Sequence, residues 1–163
     1  MNRAIDDMQH KGGLTEFATR KPLQRALIVG FFMYALSFVA TWHRVWWDSI
    51  IGLLVTVWGY YSVYDVNIVP MGCVFDMAYY ATMVTFVLHG IAFGIIVDEL
   101  ATKRIVSMIT SEAETSTGLL IFVLVVELAL LGFTGVILGF FYQFRYEIKH
   151  GEENADKDYR ELI

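Results

Sequence analysis

The stretch that decides the fold is GLLIFVLVVELALLGFTGVILGFF, residues 118–141, in which Glu127 is the only ionisable residue. A helix of about 20 apolar residues crosses the ~30 Å hydrocarbon core of a bilayer. Further apolar runs of similar length lie at residues 24–46, 50–69 and 74–97. A chain of 163 residues has too few polar residues to cover four helices that are apolar on every side. We therefore predict an all-α membrane protein with four transmembrane helices in an antiparallel bundle.

Most charged residues lie at the ends of the chain and in one connection, at residues 1–25, 98–114 and 145–163. Hydrophobic residues make up 56% of the sequence, and the four runs form a transmembrane domain over residues 24–144. A polar segment precedes it at residues 1–23, and a polar tail follows at residues 145–163, whose last 14 residues are expected to lack regular structure. Between the third and fourth runs, apolar residues at helical spacing predict a short interfacial helix near residues 99–110. The net charge of −5 does not favour a nucleic-acid partner.

The basic residues predict the orientation in the membrane. With four spans, both termini lie on one side, and that side carries nine of the 12 Lys and Arg residues. Loops rich in Lys and Arg stay on the cytosolic side of a membrane. We therefore expect a multi-pass integral membrane protein with its N- and C-termini on the cytosolic or inner side, in a membrane that the sequence does not identify.

Small residues recur at helical spacing in all four spans. Lipid is as apolar as leucine, so close packing of spans relies on small residues that let two backbones approach. These stripes predict helix contacts, either within the chain or with another subunit. The glycines concerned are Gly30, Gly52, Gly59, Gly90, Gly94, Gly132, Gly135 and Gly139.

Glu127 and His89 are the deepest ionisable residues in the predicted spans. Each lies about nine residues from the outer end of its span, roughly 13 Å deep at 1.5 Å per residue. Thr82 and Thr85 share the helix face of His89, and Thr134 shares that of Glu127. A glutamate in hydrocarbon must be protonated, paired or in contact with water. The pair is therefore either an ion or proton site or a buried hydrogen bond that fixes how helices pack.

No cofactor is predicted apart from bound lipid. A b-type haem held by His43 and His89 is an alternative, but His43 lies near the end of its span beside aromatic residues. Zinc-binding motifs such as HExxH and clusters of cysteine do not occur, so no metal site is expected. The loops are too short to build a catalytic site, and catalytic activity of the chain's own is not expected.

The C-terminal residues DYRELI fit two short sorting patterns, through Tyr159 and through Leu162 with Ile163. They are also suited to docking on a partner. The layout resembles that of MARVEL-type tetraspan proteins of vesicles and junctions, which have four spans, cytosolic ends and a longer last outer loop. The resemblance rests on layout alone and implies no site residue.

Three functions remain open at this stage. The leading one is a structural or accessory subunit of a larger membrane complex, with the lipid bilayer and other membrane subunits as partners. The second is an ion- or proton-conducting or redox subunit that uses Glu127 and His89. The third is a MARVEL-like trafficking protein.

Overall fold

The structure is a computed structural model that describes residues 17–42, 45–65, 70, 73–110 and 114–161. Side chains are described within these ranges up to residue 102 and from 118 to 150. The described part is helical and contains no strand. Its four helices are α1 (Arg20–Thr41), α2 (Trp46–Val63), α3 (Cys73–Thr110) and α4 (Glu114–Glu161).

The four helices form a ring in which each packs against two neighbours. The neighbouring pairs are α1 with α2, α2 with α3, α3 with α4, and α4 with α1; helices on opposite sides of the ring make no backbone contact in the part of the chain described. Short connections make consecutive helices antiparallel. We refer below to the Arg20 end of the bundle, where α1 begins, and to the Thr41 end, where α1 ends.

Three helices are long and apolar enough to cross a membrane, over Arg20–Thr41, Cys73–Thr102 and Gly118–His150. The helix α2 is not one of them. It has 18 residues, about 27 Å of helix, and its sequence includes Asp48 and several small or hydroxyl residues. The prediction of a membrane protein is thus supported by three spans rather than four.

The helix bounds differ from the predicted spans. The first helix ends at Thr41 and the second begins at Trp46, whereas the sequence analysis placed the connection at residues 47–49. The third and fourth helices also continue well past the predicted spans, to Thr110 and Glu161. The predicted interfacial helix is therefore the end of α3, and the tail is helical rather than irregular. Neither extension contains proline, and about half of their residues are good helix formers.

Apolar side chains fill the Arg20 end of the bundle. We call this group the apolar core. Phe75 of α3 packs against the aromatic rings of Phe141 and Phe144 of α4, with ring centroids 5.6 and 5.5 Å apart. Such contacts hold the end together by shape rather than by hydrogen bonds. The buried members of the apolar core are Leu23, Leu27, Val63, Phe75, Ala78, Ile137, Phe141, Phe144 and Ile148.

Polar contacts at the Arg20 end lie around this core. Arg145 forms an ion pair with the half-exposed Asp76, at 3.0 Å between Nη2 and Oδ1, and lies over the ring of Tyr79. Gln24 Nε2 donates to the carbonyl oxygen of Val63 at 2.7 Å, which satisfies an acceptor at the end of α2. Both contacts join neighbouring helices.

The predicted packing glycines divide into two groups. A methyl group added to Gly30, Gly52 or Gly59 would lie within 3.1 Å of a side chain of another helix, and one at Gly135 would lie 3.4 Å from Phe86. The other four positions meet nothing within 4 Å and are exposed, so they pack against no helix in the described part of the chain. These are Gly90, Gly94, Gly132 and Gly139.

Candidate functional site

All four helices contribute to one group of polar side chains inside the bundle. We call it the polar cluster. Each member is at most 1% exposed, and α4 contributes two of them. The members are Tyr34 (α1), Asp48 (α2), His89 (α3), and Glu127 and Thr134 (α4).

His89 lies at the centre of the polar cluster. Its Nδ1 contacts Asp48 Oδ2 closely and lies 3.6 Å from Glu127 Oε2. Its Nε2 is 3.0 Å from the hydroxyl of Tyr34, and that hydroxyl is 2.5 Å from Thr134 Oγ1. One edge of the imidazole ring thus faces two carboxylates, and the other faces a hydroxyl.

The hydrogen bonds on the hydroxyl side have one direction. Thr134 donates its hydroxyl hydrogen to the carbonyl oxygen of Leu130 at 2.7 Å. The Thr134 oxygen therefore accepts from the hydroxyl of Tyr34, and the Tyr34 oxygen accepts from Nε2–H of His89. This assigns a hydrogen to Nε2. In neutral His89 the lone pair of Nδ1 then points at Asp48 and Glu127.

The carboxylate side of the polar cluster is incomplete. Asp48 Oδ1 and both carboxylate oxygens of Glu127 are buried and have no hydrogen-bond partner among the residues that the structure describes. Burying one unpaired carboxylate is very costly, and two carboxylates beside a nitrogen lone pair repel each other as well. Positive charge is therefore needed between them, as a proton or as a metal ion.

Local sequence explains how two of these side chains are held. Asp48 is in the first turn of α2, where the helix dipole favours an anion. Gly52, one turn further along, lets the ring of Tyr34 cross its backbone, because a methyl group there would lie 2.6 Å from two of the ring's carbon atoms. The ring planes of Tyr34 and His89 are 8° apart, so Gly52 fixes the position of the histidine through the tyrosine.

Three hydroxyl side chains lie beside the polar cluster at the Thr41 end, and we call them the hydroxyl cluster. Ser37 Oγ is 2.9 Å from Ser49 Oγ, which is 3.2 Å from Thr41 Oγ1. All three residues are buried. Because Ser49 follows Asp48 in sequence, the hydroxyl cluster leads from the end of α1 to the carboxylates.

The structure brings together three of the five polar residues that the sequence pointed to. Glu127 meets His89, and Thr134 reaches it through Tyr34. Thr82 and Thr85 are buried but donate to carbonyl oxygens of their own helix, at 2.8 and 2.9 Å.

Sequence reasoning missed Asp48 and Tyr34, although signals for both were present. Asp48 lies one turn before Gly52, on the small-residue face of α2. Tyr34 lies between Gly30 and Ser37 on the corresponding face of α1. Both faces are buried in the structure.

Some predicted site residues lie outside the described part of the chain. These are His43, Leu162 and Ile163, together with the side chain of Tyr159. For the haem alternative, both ring nitrogens of His89 face protein side chains. Neither nitrogen is directed towards open space where a haem iron could bind.

The polar cluster also has the geometry of a metal site, which the sequence analysis did not expect. Ligand atoms of Asp48, His89 and Glu127 all lie within 4.8 Å of one another. A zinc ion bound about 2.0–2.2 Å from each nitrogen or oxygen ligand brings such atoms about 3–4 Å apart. The three side chains thus need only small shifts to bind one ion.

Comparisons with protein-family models, with curated proteins and with solved structures found no match to this chain.

Proposed function

We propose that this chain is a membrane protein that binds a cation at the polar cluster, within the bilayer, and conducts it across the membrane. The observation that carries the proposal is the set of three carboxylate oxygens of Asp48 and Glu127 that are buried without a hydrogen-bond partner among the described residues. Ionisable residues inside membrane spans are costly and commonly mark ion or proton pathways.

The proposal includes α2 as a fourth span. Its hydropathy is lowered by Asp48, Ser49 and Thr56, and all three are buried in the bundle. Its exposed side chains include Leu54, Val57 and Trp58, which suit contact with lipid. Both termini are then on one side, and the excess of Lys and Arg on that side supports an inner location.

Access from the Thr41 end is supported by the hydroxyl cluster. Tyr34 is seven residues before Thr41, so the polar cluster lies about 10 Å along α1 from the end of that helix. On the other side the apolar core separates the polar cluster from the Arg20 end. A bound cation therefore meets packed apolar side chains towards the Arg20 end. Towards the Thr41 end it meets the hydroxyl cluster beside a second buried apolar group, which consists of Val45, Ala92, Ile96, Leu120 and Val123. This arrangement fits a carrier that must rearrange, rather than an open channel.

The test is cation flux through the full chain reconstituted in liposomes. One preparation carries a proton gradient and an internal pH dye, and a second carries a Zn²⁺ gradient and an internal zinc indicator. We expect one of the two cations to cross faster than in protein-free liposomes. The variant Glu127→Gln should abolish this flux, because it removes a carboxylate of the polar cluster.

The matched control is Asp76→Asn, which removes a half-exposed carboxylate at the Arg20 end. It should leave the flux unchanged. If neither cation crosses, or if Glu127→Gln conducts like the natural chain, the proposal of cation conduction is wrong.

A second candidate is that the chain acts as an accessory subunit of a membrane complex. The supporting observation is that Gly90 and Gly94 of α3, one turn apart, are exposed and have open space where a side chain would be. Another span could approach the backbone closely there. The two candidates are compatible, since a conducting chain can belong to a complex.

The accessory role is tested by mild detergent extraction followed by native mass measurement. We expect other membrane subunits to co-purify, and Gly90→Leu combined with Gly94→Leu to release them. A chain that runs alone from its native membrane would contradict this role. The trafficking alternative rests on Tyr159, Leu162 and Ile163 and stays a prediction.

A further inference from the structure

Two arrangements of positive charge can complete the polar cluster. Either two protons are bound, or one divalent metal ion takes their place. In both cases the two negative charges of Asp48 and Glu127 are cancelled, as burial requires. Hydrogen-bond geometry around Glu127 distinguishes the two arrangements.

The two-proton arrangement leaves a buried acceptor without a donor. One proton would make His89 an imidazolium that donates to Asp48, and the second would reside on Glu127. A protonated carboxyl group must donate its hydrogen when it is buried. A protonated Glu127 would donate this hydrogen to Asp48, whose carboxylate lies beside it, but the other oxygen of Glu127 would remain buried without a hydrogen-bond partner in the described part of the structure.

A metal ion satisfies the same atoms. It would bind the Nδ1 lone pair of His89 and at least one oxygen each of Asp48 and Glu127, which is a set of three ligands. A divalent ion makes this site electrically neutral. The unpartnered oxygens, Asp48 Oδ1 among them, are then ligands or lie next to the ion.

The other edge of His89 has the contact that metal-binding histidines usually have. A ligating histidine donates its second N–H to a protein acceptor, which fixes the ring and its tautomer. Nε2 of His89 donates to Tyr34, and Tyr34 donates to Thr134. This chain of donors leaves Nδ1 as the ligating nitrogen.

We propose that Asp48, His89 and Glu127 bind one divalent transition-metal ion inside the four-helix bundle. The inference rests on the proposed function, because it names the cation of that site. One imidazole and two carboxylates suit ions such as Zn²⁺, Mn²⁺, Fe²⁺ or Co²⁺. Mg²⁺ prefers an octahedron of oxygen ligands and keeps several waters, so a dry site with a nitrogen ligand selects against it.

The experiment is titration of the metal-depleted full chain, in detergent micelles, with Co²⁺. Visible absorption reports the coordination of Co²⁺, and metal analysis after gel filtration reports the stoichiometry. We expect one Co²⁺ per chain, displaced by Zn²⁺ but not by Mg²⁺. Asp48→Asn, His89→Gln and Glu127→Gln should each lose the spectrum, and Asp76→Asn should keep it.

Tyr34→Phe provides a graded variant, because it removes the acceptor for Nε2–H without removing a ligand. Loss of such a partner weakens metal binding about 10–100-fold, so the spectrum should persist at higher Co²⁺ concentration. Since ligand variants could also fail to fold, the melting temperature of the natural chain is measured with each ion. Binding to the folded state raises it, so Co²⁺ and Zn²⁺ should raise it and Mg²⁺ should not.

Two results would overturn the inference. One is a natural chain that neither binds Co²⁺ nor gains thermal stability from Co²⁺ or Zn²⁺. The other is Co²⁺ binding that survives all three ligand variants, which would locate the ion elsewhere. If metal binding fails but protons cross the liposome membrane through Glu127, the inference fails while the proposed function stands. If the metal binds but neither protons nor Zn²⁺ cross the liposome membrane, the inference stands while the proposed function fails.

Discussion

The apolar core and the polar cluster lie at different levels of the same bundle and are completed in different ways. In the apolar core, side chains such as Leu27 and Phe141 satisfy one another by contact. In the polar cluster, every hydroxyl has a partner, but three carboxylate oxygens have none. The comparison teaches that the apolar core is finished by this chain alone, whereas the polar cluster needs a cation that the chain does not supply.

The largest effect is expected from removing the central imidazole. His89→Leu leaves Asp48 and Glu127 facing each other without a cation ligand between them. Removing one partner of a buried charged group costs about 3–5 kcal/mol of unfolding free energy, to be measured by denaturant titration in mixed micelles. The control is His150→Leu at an exposed position, which should change stability by less than about 0.5 kcal/mol. Equal effects for the two variants would mean that the polar cluster does not form.

The next largest loss of stability is expected from a change at Gly52, and it tests whether this residue positions the polar cluster. Gly52→Ala places a methyl group against the ring of Tyr34, which must move away from His89. Overpacking of this kind costs about 1–3 kcal/mol, and the rigid ring favours the upper end. Gly94→Ala, where the methyl group meets nothing, is the matched control.

In the control, alanine only replaces a flexible residue within a helix, so stability should be unchanged or rise by up to about 1 kcal/mol. Thermal unfolding of both variants gives the comparison. A Gly52→Ala protein as stable as the control would show that Tyr34 does not lie across α2.

A smaller effect is expected from the apolar core. Leu27→Ala should cost about 2 kcal/mol, the lower end of the range for buried leucine, because in a membrane the loss is mainly one of packing. Cation binding should be unaffected, since the apolar core contributes no ligand. Unfolding and Co²⁺ titrations on the same sample measure both. A weakened Co²⁺ site with intact helices would contradict the separation of the two regions.

The smallest effect tests the direction of the hydrogen bonds. Thr134→Val removes the acceptor of the Tyr34 hydroxyl and should cost about 1 kcal/mol. Thr82→Val is the control, because Thr82 donates only to its own helix and should cost less. A Thr134→Val protein no less stable than Thr82→Val would remove the argument that Nε2 of His89 carries the hydrogen.

Much of the fold follows from the sequence, because the length of an apolar run directly indicates whether a helix can span a membrane. The apolar runs around Glu127 and His89 predict two membrane spans, and the rise per residue of a helix predicts that both residues lie at the same depth in the membrane. The bounds of α2 did not follow, because its polar residues face inward and lower its hydropathy. The apolar runs therefore predict a connection at residues 47–49, which leaves Asp48 outside the spans.

Asp48 and Tyr34 are the two residues of the polar cluster that the sequence did not predict, and both lie on inward faces of their helices. The small residues Gly52, Thr56 and Gly59 mark the inward face of α2, and extending that face by one turn reaches Asp48. Tyr34 was overlooked because aromatic residues in a span are common. Its role depends on a contact with Gly52 of another helix, and no spacing within one helix reveals that contact.

The most direct measurement of the central claim is a double-mutant cycle between Asp48 and Glu127. Unfolding free energies are measured for the natural chain, Asp48→Asn, Glu127→Gln and the double variant, with Co²⁺ present. If both residues hold one cation, each single variant is destabilised, and the double variant loses clearly less than the sum of the two. Additive losses would show that the residues do not share a site. Single variants more stable than the natural chain would show that the carboxylates repel each other with no cation between them.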